Sequence, residues 1–517
     1  MKGKQRMKRK ILRSCCLLIA LLMLALVFVS CAGDDDDGRA RETFAEDTLD
    51  PNSEEGKLKP TRDFGGYEFK ILAQSNWLYG YHLTYDAEEL GYPDMAVNKA
   101  VYERQEVMYN NYGIDVIMVS TGSAASKLDT AFNAGDYLCD IVTLSGKESM
   151  AVAQKGQLYD INKLDELNLS ASYYDQNIQQ QYKLGSRLFQ IDGDFNYFDE
   201  LRTASIAYNV DLYNTFHYDE KYGSLYDLVM NKEWTYDIMY EMYKDVGEDV
   251  NGDGNYTDAD KYGMISETTF PHTILMGSGV FPVSNVDGNL EIVLQDASVK
   301  EQTINILQKV MPTVLENSFL QYDKSGWSSA SSEADLATAG SDMFASGKSL
   351  FRLCSLSAVT RLISADVNYG MLPVPMYYED QENYYSECSA AYHYPAGFAN
   401  NMQPDLETAA AAFEVFSYLS KYMPGDMVSL HEAFFETLSE FRLCKTAEDA
   451  EIMRLIFANK VYDVDSALYL CNIKGITWDL VWNNKTTTLA SRIDKTIQDN
   501  KYAFMLLTMS LDEMCPN

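Results

Sequence analysis

The sequence predicts an α/β fold that is built on a parallel sheet and extends over more than one lobe. Between Tyr67 and Leu144, apolar segments of strand length alternate with segments whose apolar residues have helical spacing. Strand, helix, strand, helix, strand is the order that a parallel sheet with crossover helices requires. At 517 residues the chain is too long for a single hydrophobic core, so we expect a second lobe or domain.

The first strand begins at Tyr67. After it we predict, in chain order, a helix over 95–112 that Gly113 ends, a strand over 114–119, a helix over 124–134 and a strand over 139–144. Further along we predict a strand over 203–209, helices over 236–246 and 299–316, strands beginning at Leu350 and Tyr369, and a mostly helical tail from Glu407. Ligands of parallel sheets bind at the carboxyl ends of the strands, so the loops after the first three strands are expected to contribute to a site.

The N-terminus has the pattern of an export signal. Seven Lys and Arg residues without an acid precede an apolar run over 14–29. The run ends in Phe28-Val29-Ser30-Cys31-Ala32-Gly33, which resembles the bacterial lipobox, where the Cys is diacylated and becomes the mature N-terminus. We predict a signal peptide over 1–30, a lipid on Cys31 and a position on the outer face of the bacterial cell membrane. The alternative is an uncleaved anchor, although the run is shorter than the ~20 residues that cross a bilayer.

The composition is strongly acidic, with a formal net charge of −34. Nonspecific binding to nucleic acid or to anionic headgroups is therefore unfavourable, and no nucleic-acid partner is expected. A bulky anionic ligand is also disfavoured, although a local site can invert the global field. Residues 31–60 are rich in acids with few apolar residues, which predicts a flexible tether.

The residue types that usually carry catalysis or metals are sparse. The chain has five His, none at metal-ligand spacing, and it lacks H-E-x-x-H, G-x-S-x-G and a Gly-rich phosphate loop. We therefore expect a protein that is not an enzyme. Six widely spaced cysteines follow Cys31, and most are expected to be small buried apolar residues whose disulfide state stays open: Cys139, Cys354, Cys388, Cys444, Cys471 and Cys515.

Residues 249–260 form the sharpest local motif. Side-chain oxygens at loop positions 1, 3 and 5, a glycine at position 6 and an acid at position 12 match a calcium-binding loop. The predicted ligands are Asp249, Asn251, Asp253, Asn255 and Asp260. Asp instead of Glu at position 12 reaches less far, which lowers the expected affinity. The alternative is a solvated acidic turn that needs no metal.

A set of short segments occurs in collinear order between about residue 65 and residue 470. The segments are 98–112, 134–137 with 139–142, 156–161, Gly193-Asp194, 208–212, 232–237, 344–351 and 369–375. Together, behind the lipobox, they resemble the extracellular solute-binding lipoproteins of bacterial ABC importers, in the carbohydrate-type branch known as family 1.

The resemblance implies a two-lobed clamp in which crossing strands act as hinges and the ligand is held in the cleft. It implies a first lobe over 61–205 plus 367–425, a second lobe over 206–366 plus 426–517, and hinges near 203–208 and 366–368 and after Pro395. The implied function is a monomer that captures a solute, above all an oligosaccharide, and delivers it to an ABC permease. Two alternatives stay open: a lipid-anchored glycoside hydrolase, which needs two carboxylates roughly 5 to 9.5 Å apart, and an adhesion or sensory lipoprotein.

A sugar-binding cleft should be aromatic, because sugar rings expose C–H faces that stack on flat π-systems while their hydroxyls need polar partners. The candidate ligand-binding residues are Trp77, Tyr79, Asp194, Tyr197 and Trp327, together with Ser145 and Ser355, which rest on strand-end position and family analogy. Core packing is the alternative for each aromatic residue, and a turn cap is the alternative for Asp194. For Trp234 we predict packing, with Thr235 as the cap of the next helix.

Overall fold

The computed structural model describes Arg41, Phe44 and residues 49–74, 83–84, 95–286, 288–322, 333–400, 404–482 and 489–499. The chain divides into two units, residues 1–43 and residues 44–517. Arg41 is the one described residue of the first unit, so the predicted export signal and Cys31 lie outside the described residues. Within the described ranges, no helix is both long enough and apolar enough to cross a membrane.

The second unit alternates strands and helices along the chain. Its described strands are β1 (Tyr67–Gln74), β2 (Ile114–Thr121), β3 (Ile141–Thr143), β4 (Ala204–Asn209), β5 (Tyr262–Ser266), β6 (Ser284–Val286), β7 (Asn289–Glu291), β8 (Phe319–Gln321), β9 (Ser349–Ser355), β10 (Tyr369–Leu372), β11 (Ser386–Cys388), β12 (Ala396–Phe398) and β13 (Lys460–Tyr462).

The helices cover both sheets. They are α1 (Glu54–Leu58), α2 (Met95–Val107), α3 (Ala124–Ala134), α4 (Gly146–Gln154), α5 (Gln176–Gln181), α6 (Phe198–Arg202), α7 (Val210–Thr215), α8 (Tyr218–Tyr222), α9 (Leu225–Met230), α10 (Tyr236–Tyr243), α11 (Phe270–Gly277), α12 (Ala297–Thr313), α13 (Glu333–Ala345), α14 (Leu356–Val359), α15 (Leu406–Lys421), α16 (Leu430–Glu432), α17 (Ala447–Ala458), α18 (Val464–Leu468) and α19 (Ile473–Trp482). The π-helical segments Met108–Tyr112 and Ala433–Leu443 continue α2 and α16, and a last helix covers 489–499.

The first sheet has the strand order β12-β3-β1-β2. Strands β1, β2 and β3 are parallel, as the sequence predicts, and β12 is antiparallel to β3. Gly113 ends the helical segment before β2 in a left-handed conformation with φ of 67°, which glycine adopts without steric cost. One face of the sheet packs on α15, where the ring of Phe69 lies 6.0 Å from that of Phe416.

The second sheet has the strand order β10-β4-β9-β5-β8. Here β5 runs parallel to β8 and β9, whereas β4 is antiparallel to both β9 and β10. Trp234 is fully buried with its ring 5.8 Å from that of Phe351, and the Thr235 hydroxyl accepts from the Ile238 N–H at the start of α10. The packing role predicted for Trp234 is confirmed.

The chain crosses between the sheets at two described places. It leaves the first sheet through α6 and enters the second as β4, and it returns between β10 and β12. The resemblance implies that 367–425 belongs to the first lobe, but the pairing of β10 with β4 places residues 369–372 in the second sheet. The return crossing therefore comes after β10, since that strand needs β4 as its hydrogen-bonding neighbour.

The end of the predicted tether is folded. Residues Glu54–Leu58 form α1, and the Glu54 carboxylate accepts hydrogen bonds from the Ser172 N–H and the Tyr422 hydroxyl, each at 2.8 Å. The prediction of a flexible tether over 31–60 is wrong for this part, because the acidic side chains bind donors on the first lobe. The five described cysteines, at positions 139, 354, 388, 444 and 471, are buried, as expected for small core residues.

Candidate functional site

The carboxyl ends of several strands of the second sheet meet at one edge. β5, β8 and β9 are parallel and end there together. Ser355 at the end of β9 pairs with Ala204 at the start of β4, and Leu372 at the end of β10 pairs with Ile206. Since β4 begins directly after the crossing from the first sheet, this edge lies at the junction of the two sheets. It is the part of the fold where a ligand between the lobes would bind.

On the first sheet, Ser145 follows β3 and caps α4. Its hydroxyl donates to the Glu148 carboxylate at 2.7 Å, and its oxygen accepts from the Glu148 N–H at 3.3 Å. Ser145 is buried, and this reciprocal capping box fully accounts for its conformation. Contact between Ser145 and a ligand stays a prediction. Trp77 and Tyr79, predicted beside it in the loop after β1, lie outside the described residues.

Asp194 and Tyr197 are brought together with the helical segment that begins at Leu430. The Tyr197 hydroxyl donates to Asp194 Oδ1 at 2.8 Å, and His431 Nδ1 lies 3.0 Å from the same oxygen. The Tyr197 ring stacks on Phe434 with 4.2 Å between centroids and 4° between planes. Burial and the adjacent Asp194 raise the pKa of Tyr197 well above its usual value.

This geometry shows what the Asp194–Tyr197 pair does in the present conformation. Tyr197 is 1% exposed, so both of its faces are covered by protein and no sugar ring has access to them. The pair links the segment before α6 to the helical segment after α15. A role in ligand binding stays a prediction and would require this contact to open.

Ser355 lies where the sequence predicts it, at the carboxyl end of β9. It is half-buried, its hydroxyl lies 2.8 Å from the Ser357 hydroxyl, and it starts α14 without a side-chain cap. Among the predicted ligand residues that the structure describes, Ser355 is therefore the one that lies at the sheet junction without full burial. Trp327, in the loop after β8, lies outside the described residues.

The sequence reasoning missed three arginines at this edge, which we call the arginine cluster: Arg202, Arg352 and Arg361. The Arg352 guanidinium donates to the Ser341 hydroxyl at 2.7 Å and lies 5.9 Å from the Tyr322 ring. Arg361 donates to the Thr338 hydroxyl. Burial lowers the pKa of Arg361, and so do the like charges of the other two.

Arg202 completes the cluster from the first lobe. It ends α6, directly before the crossing, and its guanidinium lies 5.6 Å from the Tyr392 ring and 6.0 Å from the Phe198 ring. The positions of these residues in the sequence could have indicated the cluster. Arg202 directly precedes a predicted strand, Arg361 follows another, and the start of the first strand lies at the same sheet edge as the end of the second.

Three solved structures share this architecture. An ABC substrate-binding protein of Listeria monocytogenes in complex with cycloalternan has a TM-score of 0.54 at 13% identity, over 85% of this chain and 99% of that chain. A family 1 extracellular solute-binding protein of Bifidobacterium longum subsp. infantis has a TM-score of 0.52 at 13% identity, over 84% and 100%. Maltose-bound MalE3 of T. maritima has a TM-score of 0.51 at 14% identity, over 84% and 100%. The fold is that of an extracellular solute-binding protein.

The predicted two-lobed α/β class is thereby confirmed for this solute-binding fold. At the level of sequence, no protein-family model and no curated protein matches the chain. The likeness is therefore one of architecture, and the residues at the junction have to be argued from their own chemistry.

A buried ionic network lies beside the first crossing. The Lys460 ammonium, at the start of β13, lies 2.9 Å from Asp175 Oδ2 and 2.8 Å from Glu200 Oε1, and it also contacts Asp199. Burial raises the pKa of Asp199, but Lys460 outweighs it and holds that pKa below its usual range. Asp175, Asp199 and Glu200 are close enough to hold a metal ion, but the lysine ammonium occupies the position between them.

The predicted calcium loop closes on its own backbone. Asp249 accepts from the Gly252 N–H at 2.7 Å and from the Gly254 N–H at 2.8 Å, and Gly254 turns with φ of 79°. Asp260 accepts from the Val250 and Thr257 N–H groups, which lower its pKa. In the described part of the chain, three acidic or histidine ligand atoms come within 4.8 Å of one another at two places, and neither is in this loop. The sequence of this turn fits the calcium-loop pattern, but its carboxylate oxygens do not converge on a common position.

Proposed function

We propose that this protein is an extracellular substrate-binding lipoprotein that captures an oligosaccharide and delivers it to an ABC permease. The observation that carries the proposal is the junction between two α/β lobes, where the carboxyl ends of β5, β8 and β9 meet the crossing into β4. Hinge motion about such crossings brings the two lobes together around a ligand. Cycloalternan and maltose are the molecules bound in two of the similar structures.

The membrane anchor is part of the same proposal. Cys31 follows an apolar run and precedes an acidic segment, which supports cleavage before Cys31 and attachment of lipid to it. A single acyl chain binds a membrane only marginally, so two or more chains are needed for stable anchoring. Cys31→Ser in the producing bacterium should release the protein from the membrane fraction, and retention of the variant there would favour an uncleaved anchor.

A glycoside hydrolase is the less favoured function. Two of the similar structures named above are an ABC substrate-binding protein and a family 1 extracellular solute-binding protein. The acids beside the first crossing, Asp175, Asp199 and Glu200, all pair with Lys460, whose ammonium occupies the space between them that a glycosidic bond would need. A binding role needs no covalent step from these residues, and a monomer is sufficient for it.

The decisive test is a thermal-shift screen of residues 32–517 against oligosaccharides, followed by mass analysis of each stabilising sugar. We expect the melting temperature to rise with sugar concentration and the sugar to be recovered intact, because a ligand that binds only the folded state stabilises it by mass action. Cleaved sugar would overturn the proposal in favour of the hydrolase. Failure to bind any saccharide in the screen would leave an adhesion or sensory role ahead.

We also propose that residues 249–260 bind calcium weakly, with a structural role between α10 and β5. Support comes from the spacing of Asp249, Asn251 and Asp253 and from the turn at Gly254. Binding would have to replace backbone hydrogen bonds of Asp249, which predicts low affinity. Titration with calcium should raise the melting temperature of the native protein and leave the melting temperature of the Asp249→Asn variant unchanged. An equal response of both proteins would assign the effect to another site.

A further inference from the structure

We infer that the arginine cluster at the lobe junction binds an anionic group of the captured saccharide, so that the preferred ligand is an acidic oligosaccharide. The inference rests on the proposed function and names the substrate class of the same site. It assigns Arg202 and Arg361, the two half-buried members of the cluster, as the residues that contact the anionic group, because Arg352 is fully buried.

The first step is the convergence of the three side chains. Thr338 and Ser341, which accept from Arg361 and Arg352, lie three residues apart on α13 and are therefore neighbours on one helix face. α14, which leads to Arg361, packs on both α13 and α6, and Arg202 ends α6. The cluster thus gathers guanidinium groups from both sides of the crossing.

The second step is the charge balance at this place. Within the described residues, neither Arg202 nor Arg361 has a carboxylate oxygen within 4.0 Å, although the whole chain has a net charge of −34. Asp342 acts on Arg361 from a greater distance and favours its charged form. The Nε atom of Arg202 is buried without a hydrogen-bond partner. Arg202 and Arg361 are half-buried, and cations held away from carboxylates in so acidic a protein are stabilised when a ligand supplies an anion.

The third step is the chemistry of recognition. Arginine offers a planar set of N–H donors that matches a carboxylate or a sulfate with two parallel hydrogen bonds, which a lysine ammonium cannot do. Tyr392 lies under the Arg202 guanidinium, so an aromatic face adjoins the cationic group. A sugar ring with a charged substituent needs an aromatic face and a cationic group together, whereas a neutral sugar needs only the aromatic face. Carboxylate and sulfate share this chemistry, and the test separates them.

The experiment measures binding of residues 32–517 by calorimetry at low and moderate salt; residues 44–517 form one compact unit. The probes are a galacturonate tetramer, a tetrasaccharide of otherwise neutral sugars that carries sulfate groups, and maltotetraose. We expect binding of the galacturonate or of the sulfated probe to exceed that of maltotetraose at least about tenfold and to weaken with salt. Preference for the first identifies a carboxylate, and preference for the second identifies a sulfate.

The variants are Arg361→Gln and Arg202→Gln, with Arg492→Gln as the matched control. Arg492 pairs with Asp479 on an exposed surface outside the junction, so its loss removes the same charge elsewhere. Loss of a charge-assisted pair should weaken binding of the charged probe about tenfold and reduce its salt dependence, while Arg492→Gln changes neither. Melting temperatures of the variants establish that they fold. If one of the two arginine variants does not fold, the other still tests the inference.

The outcomes separate this inference from the proposed function. Equal binding of maltotetraose and of the charged probes would overturn the inference and leave the capture of oligosaccharides standing. Charged-probe binding that is unchanged in both Arg361→Gln and Arg202→Gln would also overturn it. Cleavage of any probe would instead count against the binding function.

Discussion

Lys460 Nζ lies 2.9 Å from Asp175 Oδ2, and this contact joins β13 to the segment that precedes α5. The lysine side chain is 2% exposed, so the ammonium has exchanged water for carboxylates. The Tyr462 hydroxyl donates to Asp175 at 3.0 Å and to Asp199 at 2.7 Å from two positions further along the same strand. Because the acids belong to the segment before the first crossing and Lys460 to the C-terminal segment, the network holds two segments that are distant in the sequence together beside that crossing.

Removing the ammonium should therefore destabilise the protein strongly. Lys460→Met leaves three carboxylates facing one another in the interior, and breaking a buried ion pair from one side costs about 3–5 kcal/mol. Urea unfolding is the measurement, with Lys244→Met as the control because Lys244 pairs with Glu241 at the surface. The exposed pair should change stability little, because solvent screens it. Similar losses in the two variants would contradict a dominant role for the buried network.

The first sheet could be predicted from the sequence because its signals are local. The spacing around Tyr67 and Gly113 and over 124–134 determines strand, helix end and helix without reference to distant residues. The same holds for Trp234 and Thr235, where the capping pattern spans four residues. Such elements follow from short-range chemistry alone.

The junction was less predictable because its contacts are long-range. The stacking of Tyr197 on Phe434 and the ion pairs of Lys460 link residues more than two hundred positions apart, and no periodicity reports them. The local sequence pattern predicts Asp194 and Tyr197 as ligand residues, whereas the fold packs them against the helical segment after α15. The prediction of a tether over the residues of α1 is wrong for the same reason, since Glu54 accepts hydrogen bonds from Ser172 and from Tyr422, which directly follows α15.

A glycine contact fixes the hairpin β6–β7 against the first lobe. The Gly185 N–H donates to the Gly288 carbonyl at 2.8 Å, and both residues have positive φ. A Cβ on Gly288 would lie 1.8 Å from the Gly185 carbonyl oxygen, so Gly288→Ala must separate the two segments. We expect a loss of about 2–4 kcal/mol in the free energy of unfolding, from the clash and the left-handed backbone together.

The matched control is Gly347→Ala. Gly347 also has a positive φ of 70°, but a Cβ there meets no atom within 4 Å. This variant isolates the backbone cost, which is about 1–2 kcal/mol. Both variants are compared by thermal and urea unfolding, and equal losses would show that the approach of Gly288 to Gly185 contributes nothing.

His393 gives the fold a pH dependence of defined sign. It is fully buried, its Nδ1–H donates to the Ser389 carbonyl at 3.1 Å, and its ring lies 5.0 Å from that of Tyr462. Burial lowers the pKa of His393 to about 4, and Lys460 contributes in the same direction. In the unfolded chain the pKa is about 6.5, so below that pH the unfolded state binds a proton that the folded state does not.

The stability contributed by neutral His393 is therefore fully present above pH ~6.5 and decreases as the pH falls toward 4, by up to about 1.4 kcal/mol per pH unit. His393→Gln should remove this slope, so that the difference in unfolding free energy between native protein and variant becomes smaller from pH 7 to pH 4. His217→Gln, at an exposed histidine beside Glu220, serves as the control for the substitution itself. Urea unfolding at each pH measures both, and parallel curves for the native protein and His393→Gln would show that this histidine does not titrate between the two states.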